Sequence, residues 1–256
     1  MPVASSIDQR GVATLLIDRA AKRNCLNTET LQALIAATGS LRDDASVRAV
    51  VLRSAGEIAF ISGADISEMA RLNAASARDF ITLVHQACES LRLLPVPVVA
   101  RIQGHVLGAG LELAAACDVR LAADTALFGM PEVHVGIPSV VEAALLPRLI
   151  GWGRANWLLL TGQTIDSAQA LAWGLIEQTA PAAELDELVS QTLDPILSAG
   201  PSAIRLQKAL IREWESLPID AAIARGIDRF AEAWESDEPA RMLNGFLAQR
   251  LSRKPG

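Results

Sequence analysis

Short apolar runs, separated by glycine, proline and polar turns, recur along the first two thirds of the chain. Runs of strand length, rich in Val, Ile and Leu, predict buried strands at residues 11–18, 47–54 and 97–103. Shorter apolar pieces follow at residues 58–61, 118–122 and 126–129. Apolar residues with helical spacing predict helices between these runs, of which the clearest cover residues 30–38 and 111–117.

The order of strand, short turn with glycine, and helix repeats weakly, with about 47 residues between the matching turns. This repeat predicts an α/β fold in which ββα units wind into a spiral, and we assign residues 1–198 to that core. Residues 199–256 carry no strand signal and form a predicted helical region, with helices at residues 204–214, 218–234 and 238–251. Ile223, Ile227 and Phe230 line one face of the middle helix, which predicts packing on the core or on another subunit.

Composition excludes several classes of protein. The chain has 256 residues, 51% hydrophobic, with 23 basic against 29 acidic side chains and a net charge of −6. An acidic balance argues against binding to nucleic acid or to an anionic membrane surface. The amino-terminal residues lack a leader pattern, and the chain has no apolar run long enough to span a membrane. Three unpatterned cysteines and three separated histidines suggest neither disulfides nor a metal site, so we expect a cytoplasmic protein without a metal.

Two glycine turns, each between a strand and a helix, offer backbone donors. The stretch 104–114 fails as a dinucleotide-binding fingerprint, because Leu113 stands where the third glycine belongs. The same turn presents the N–H groups of Gly108, Ala109 and Gly110 at a helix start, where negative charge could develop. A second turn, at residues 59–66, lies one repeat earlier. Two such turns could aim two donors at one oxygen, although glycine-rich turns often only reverse the chain.

Glu112 and Glu132 are the candidate acid–base groups. Glu112 lies in an apolar helical stretch, where a carboxylate is costly unless it is paired or functional. Glu132 follows a short strand and a Met-Pro step, about 20 residues later. Two carboxyl groups in different surroundings could divide the roles of acid and base in one cavity. If the two glutamates are instead isolated from each other, they are surface or capping residues.

These segments together resemble the enoyl-CoA hydratase/isomerase family, also called the crotonase family. The similarity runs from about residue 15 to residue 246, in the same order as in the family. It includes the opening stretch 17–27, the turns 59–66 and 104–118, and the later stretches 128–132, 147–151, 160–162 and 168–175. The resemblance implies a crotonase-like spiral fold and chemistry on an acyl-CoA thioester.

The resemblance also implies roles for individual residues. The backbone N–H groups of Ser62 and Ala109 hold the thioester oxygen. Glu112 matches the glutamate that activates water for attack at C3, and Glu132 matches the one that delivers a proton to C2. Family isomerases often keep only the position of Glu132, so the presence of both glutamates favours a hydratase. The sequence leaves two alternatives open, which are a double-bond isomerase or related acyl-CoA enzyme and a non-catalytic acyl-CoA-binding member.

Further implied roles concern coenzyme A and the acyl group. Expected coenzyme A contacts are Lys22, Arg23, Ser62, Ala64, Asp65 and Ile66, with a weaker candidate at Lys254. The acyl pocket is expected at Pro138, Val141 and Glu142, in a segment where many hydratases carry a Gly-Gly-Thr stretch that this chain lacks. Ala109 also departs from the glycine that is common there.

Assembly and cofactors follow from the resemblance as well. It implies homotrimers, usually paired into hexamers, that are built through the helical tail. It implies no separate cofactor, because coenzyme A enters as part of the thioester substrate.

Overall fold

The structure, a computed structural model, describes residues 1–252. It divides into two compact units, the first Met1–Thr192 and the second beginning at Leu193, six residues before the predicted boundary. Within the described residues, no helix is both long and apolar enough to cross a membrane. Lys254 lies outside the described residues.

Ten strands of the first unit form two sheets. The strands are β1 Val3–Ile7, β2 Val12–Ile17, β3 Ala49–Ser54, β4 Ala59–Ile61, β5 Val98–Ile102, β6 His105–Leu107, β7 Val119–Ala123, β8 Leu127–Gly129, β9 Thr164–Asp166 and β10 Gln178–Ala180. The larger sheet has the order β1-β2-β3-β5-β7-β10, and the smaller has the order β4-β6-β8-β9. All neighbours run parallel except the β1–β2 and β8–β9 pairs.

Successive repeats give one strand to each sheet. The strand pairs β3/β4, β5/β6 and β7/β8 each place their first member in the larger sheet and their second in the smaller one. In register, Val50 faces Val98 and Val99 faces Val119, while Ala59 faces His105 across the smaller sheet. The predicted spiral of ββα units is therefore confirmed.

Eleven helices are described, of which seven lie wholly in the first unit. They are α1 Thr28–Arg42, α2 Ile66–Met69, α3 Ala74–Arg92, α4 Ala109–Ala115, α5 Leu146–Ile150, α6 Trp152–Thr161 and α7 Ser167–Trp173, followed by α8 Leu185–Ser198, α9 Pro201–Trp214, α10 Ile219–Ala233 and α11 Glu238–Ser252. Short 3₁₀ turns at Pro131–Val135 and Val141–Leu145 follow β8. Helix α3 begins at a capping box between Asn73 and Ser76, which satisfies its first free N–H groups.

The core lies around α4, which is buried along its whole length. Strands β2, β3 and β5 supply fully buried residues such as Leu15, Leu52 and Ile102. Gly110 permits this packing, because a Cβ there would collide with the Ile61 carbonyl of β4. A side chain on α4 is therefore held by a well-packed helix, which suits precise placement of a functional group.

The second unit is a set of helices held by charged contacts. Glu238 accepts hydrogen bonds from the Ser202 and Ala203 N–H groups at the start of α9, at 3.1 and 2.8 Å. Glu213 of α9 pairs with Arg225 and Arg229 of α10. These two ion pairs join α9 to α10 within the unit.

Candidate active site

A cavity of about 800 Å³ opens in the first unit beside α4. It lies between the turns that follow β4 and β6, helix α3, and the segment that follows β8. Its lining residues are Ser62, Gly63, Ala64, Ile66, Met69, Leu72, Asn73, Ala74, Ala77, Arg78, Phe80, Ile81, Val84, Leu107, Gly108, Ala109, Glu112, Pro131, Glu132, His134, Val135, Ile137, Pro138, Ser139 and Val140. Most of these side chains are apolar, so the few polar groups determine the chemistry of the site.

The two predicted glycine turns meet at this cavity. A Cβ built on Gly63 would stand 3.3 Å from the Leu107 carbonyl oxygen, and one built on Gly108 would stand 3.9 Å from the Gly63 Cα. Both glycines have positive φ, +102° and +51°, which side-chain-bearing residues adopt rarely. The two glycines thus allow the backbones of the two turns to approach closely.

The Ser62 N–H is not available as a donor to a ligand. It points to the Arg23 carbonyl oxygen at 3.2 Å, because Arg23 and Asn24 take left-handed conformations that turn this carbonyl toward β4. The prediction that the Ser62 N–H holds the thioester oxygen is therefore wrong for this structure. The spacing along the sequence identified the loop, but it did not identify which backbone amide of the loop is unengaged.

Ala64, two residues later, presents an unengaged N–H. Leu26 pairs with this stretch through the Gly63 carbonyl and the Asp65 N–H, each at 2.8 Å. Because donors alternate in direction along an extended segment, the Ala64 N–H points to the opposite side. Neither Ala64 nor Ala109 donates its N–H to an acceptor in the described part of the chain. Both residues line the cavity.

Glu112 reaches the cavity from α4 and is only 4% exposed. Burial raises its pKa from 4.5 to about 8, the charges of Glu132 and Glu142 add to this effect, and backbone interactions with Ala143 and Val140 oppose it. At neutral pH Glu112 therefore holds a proton.

Glu132 faces the same cavity from the 3₁₀ turn after β8. Its Oε2 accepts a hydrogen bond from the Ser139 hydroxyl at 2.7 Å. Its Oε1 lies directly over the Cα of Gly108, where a Cβ would collide with it. The structure thus places Glu112 and Glu132 in the lining of one cavity.

The expected acyl pocket is only partly correct. Pro138 lines the cavity, whereas Val141 and Glu142 do not belong to its lining. Glu142 is 6% exposed and turns inward, where its Oε1 lies 2.8 Å from His85 Nδ1. The reason is the 3₁₀ turn at Val141–Leu145, which directs the Glu142 side chain toward α3 and α4.

The expected coenzyme A contacts also separate into two groups. Ser62, Ala64 and Ile66 line the cavity, and Ile66 is 60% exposed. Asp65 instead anchors the turn, because it caps α2 through the Ser67 and Glu68 N–H groups and pairs with Arg19 at 3.2 Å. Lys22 and Arg23 are exposed and absent from the described cavity lining.

Sequence reasoning missed several residues near the site. Ser139 lies seven positions after Glu132, and His85 lies 57 positions before Glu142, so only the fold reveals these contacts. Arg78 is the single lysine or arginine side chain that lines the described cavity, and its position on α3 gave no signal. In residues 1–252, no group of three or more His, Cys, Asp or Glu side chains could hold a metal ion.

Comparisons with known proteins identify the family of the chain. A family model described as "Enoyl-CoA hydratase/isomerase" matches residues 8–252. The chain belongs to the enoyl-CoA hydratase/isomerase family. It is 36% identical over 240 residues to a short-chain-enoyl-CoA hydratase of Clostridium acetobutylicum, which covers 93% of this chain and 92% of that protein. A crotonyl-CoA hydratase of Syntrophomonas wolfei is 35% identical with the same coverage.

The solved structures show the same fold. An enoyl-CoA hydratase from Bacillus anthracis superposes with a TM-score of 0.92 and 31% identity, over 100% of this chain and 98% of that one. The expected membership of the enoyl-CoA hydratase/isomerase family and the crotonase-like fold are therefore confirmed.

Proposed function

We propose that the protein is an enoyl-CoA hydratase, which adds water syn across the double bond of a trans-2-enoyl-CoA. One observation carries the proposal: two unengaged backbone N–H groups and two carboxyl groups face a single cavity. The family supports a thioester of coenzyme A as the substrate, and the two relatives named above are hydratases of short-chain enoyl-CoA substrates.

The backbone donors polarise the thioester. We propose that the N–H groups of Ala64 and Ala109 hold the thioester oxygen, and that Ser62 plays no direct part because its N–H is engaged. Negative charge on this oxygen makes C3 electrophilic and stabilises the enolate that forms. Each such donor is worth roughly 3 kcal/mol in the transition state.

The two proposed catalytic carboxyl groups share one proton. Hydration places the hydroxyl of water on C3 and a proton on C2, so one carboxyl group must be ionised while the other is protonated. The resemblance makes Glu112 the base, which requires its proton to pass to Glu132 through a bound water. We propose this exchange as the first step, and Ser139 then helps to hold the Glu132 carboxyl over Gly108.

The pH–rate profile reports the ionisation of Glu112, and its pKa of about 8 places that limb of the profile above neutral pH.

The test is loss of the enoyl-thioester absorbance with crotonyl-CoA and longer 2-enoyl-CoA substrates, with products identified by mass. We expect the gain of one water, and a loss of at least about 100-fold in Glu112→Gln and Glu132→Gln. The matched control is Glu57→Gln, which changes an exposed glutamate away from the cavity. If the double bond of the substrate shifts without a gain in mass, and if this activity is undiminished in Glu112→Gln, the result would favour an isomerase. Acyl-CoA binding without turnover would favour a non-catalytic member.

Assembly into homotrimers or hexamers is a further proposal. The apolar face of α10 is exposed within the chain, with Ile223 at 58%, Ile227 at 68% and Phe230 at 70%. Such a face is typical of subunit contacts, and the family resemblance names copies of the same chain as the partner. Light scattering coupled to size-exclusion chromatography measures the assembled mass directly, and a monomeric mass would contradict the proposal.

Cofactor use and location complete the proposal. Water addition is not a redox reaction, and the two N–H groups already polarise the carbonyl, so we propose that no cofactor is needed beyond the coenzyme A of the substrate. Dialysis against a chelator should leave turnover unchanged. All three cysteines are free, which suits a reducing compartment such as the cytoplasm.

A further inference from the structure

Arg78 places a positive charge on the wall of an otherwise mostly apolar cavity. Five of the α3 residues that line the cavity follow the helical pattern i, i+3, i+4, i+7 and i+10, and they are Ala74, Ala77, Arg78, Ile81 and Val84. Arg78 therefore belongs to the face of α3 that is turned toward the cavity. Its neighbours on this face are apolar, and two of them are alanines, which leave room for a long side chain.

The Arg78 side chain is not committed to holding the fold. Within residues 1–252 it has no hydrogen bond, ion pair or ring contact, and neither acidic residue of the cavity lining pairs with it. Other arginines of the first unit are paired, as Arg19 is with Asp65 at 3.2 Å and Arg101 is with Asp186 at 2.6 Å. Since Arg78 is exposed, water solvates its charge, and that charge is available to a molecule that enters the cavity.

The chemistry of the cavity wall indicates what such a molecule carries. A guanidinium group can donate two parallel N–H groups to the two oxygens of a carboxylate. A carboxylate that leaves water for an apolar cavity needs a partner of this kind. Apolar neighbours of Arg78, including Met69, Leu72 and Ile81, suit a chain of methylene groups. The cavity therefore fits a ligand that is apolar along its length and anionic at its end.

The position of Arg78 separates this charge from the proposed reacting groups. Val84 is fully buried, on the part of α3 that is closer in sequence to the helix's inner end, and α3 packs on α4, which carries Glu112. Arg78 lies six residues before Val84, about 9 Å along the helix axis. The phosphates of coenzyme A are separated from the thioester by the whole pantetheine arm. A carboxyl group on the acyl chain, by contrast, can enter the same cavity as the thioester.

We propose that Arg78 is a specificity-determining residue that selects thioesters whose acyl chain ends in a carboxylate, which are the coenzyme A thioesters of dicarboxylic acids. The inference rests on the proposed function for the reaction that follows, but the binding of such a thioester does not require turnover. An uncharged acyl chain of the same length makes no contact with the guanidinium group, so the two classes of substrate differ in affinity.

The test is the equilibrium binding of saturated thioesters, which cannot be hydrated. Titration calorimetry compares glutaryl-CoA with pentanoyl-CoA, and adipyl-CoA with hexanoyl-CoA. We expect the Kd of the dicarboxylic thioester to be about tenfold lower in at least one of the two pairs. This ratio should fall to about one in Arg78→Gln, and Arg78→Lys, which keeps the charge but not the planar fork, should retain part of it.

The matched control is Arg71→Gln. Arg71 is an exposed arginine between α2 and α3 that is absent from the described cavity lining. Its substitution removes the same charge from the same surface, and the affinity ratio should stay at the native value. Both Arg78 and Arg71 are exposed, so the variants should fold, and circular dichroism checks this.

Two results would overturn the inference. If native protein binds both members of each pair equally well, the charge of Arg78 is only solvated. If Arg78→Gln weakens the binding of both members and of free coenzyme A by the same factor, Arg78 contacts a phosphate of coenzyme A instead. Failure of the proposed function looks different, because it removes hydration of crotonyl-CoA and leaves the binding preference for dicarboxylic thioesters in place.

Discussion

Replacing Glu112 by glutamine should stabilise the protein at alkaline pH while it reduces activity. The folded chain holds Glu112 at a pKa of about 8, against an ordinary value of 4.5. Between these two values the folded state binds a proton that the unfolded state releases. The free energy of unfolding therefore falls as pH rises through this window, and it stops falling above pH 8.

The size of the effect follows from the same two values. At about 1.4 kcal/mol for each pH unit, the whole interval corresponds to about 5 kcal/mol. Water that enters the open cavity and relaxation around the carboxylate relieve part of this cost, so we expect about 1–3 kcal/mol. Glutamine has nearly the same shape and cannot ionise, so Glu112→Gln removes the pH-dependent term alone.

The assay is urea-induced unfolding from pH 5 to pH 9, at one fixed protein concentration, since the proposed assembly would contribute to apparent stability. The difference between Glu112→Gln and the native chain should be small near pH 5, grow through neutral pH and level off near pH 8. Glu57→Gln should follow the native curve throughout. A difference that is constant over this range would refute the reasoning, because it would mean that Glu112 ionises at its ordinary value.

Three further predictions concern the geometry around Glu132 and the helical face. Gly108→Ala places a methyl group on the Glu132 carboxylate, so kcat should fall about 100-fold, and circular dichroism checks that the fold is retained. Ser139→Ala removes the 2.7 Å hydrogen bond that orients the Glu132 carboxyl, so kcat should fall with KM nearly unchanged, while Ser139→Thr, which keeps a hydroxyl, should restore it. Phe230→Glu places a charge on the exposed face of α10 and should lower the mass measured by light scattering, whereas Arg241→Glu, on another helix, should not.

Much of the fold could be predicted because its signals are local. Strands β2, β3 and β5 are buried on both faces, so they read as continuous apolar runs, and the predicted bounds differ from the observed ones by one or two residues. Strand β1 gave no such signal, because only Val3 of its five residues is buried and it pairs at the edge of the sheet. Edge strands with polar residues look like loops until their partner is known.

The site was predictable at the level of segments but not of atoms. Both glutamates and both turns could be found by spacing and by resemblance to the family. Which amide is left unengaged depends on the pairing of Leu26 with the stretch around Ala64, nearly 40 residues away, and on the left-handed Arg23 whose carbonyl accepts from Ser62. Such contacts between distant segments leave no periodic pattern in the sequence.

The segment from Pro138 to Leu145 is where this chain departs most clearly from the usual family pattern, and the structure gives that departure a physical meaning. Ser139 donates its hydroxyl to the Glu132 carboxyl at 2.7 Å, and the charge of Glu142 is a lesser cause, after burial and Glu132, of the raised pKa of Glu112. The placement of the Glu132 carboxyl therefore depends on a hydrogen bond from a residue outside the motifs by which the family is identified.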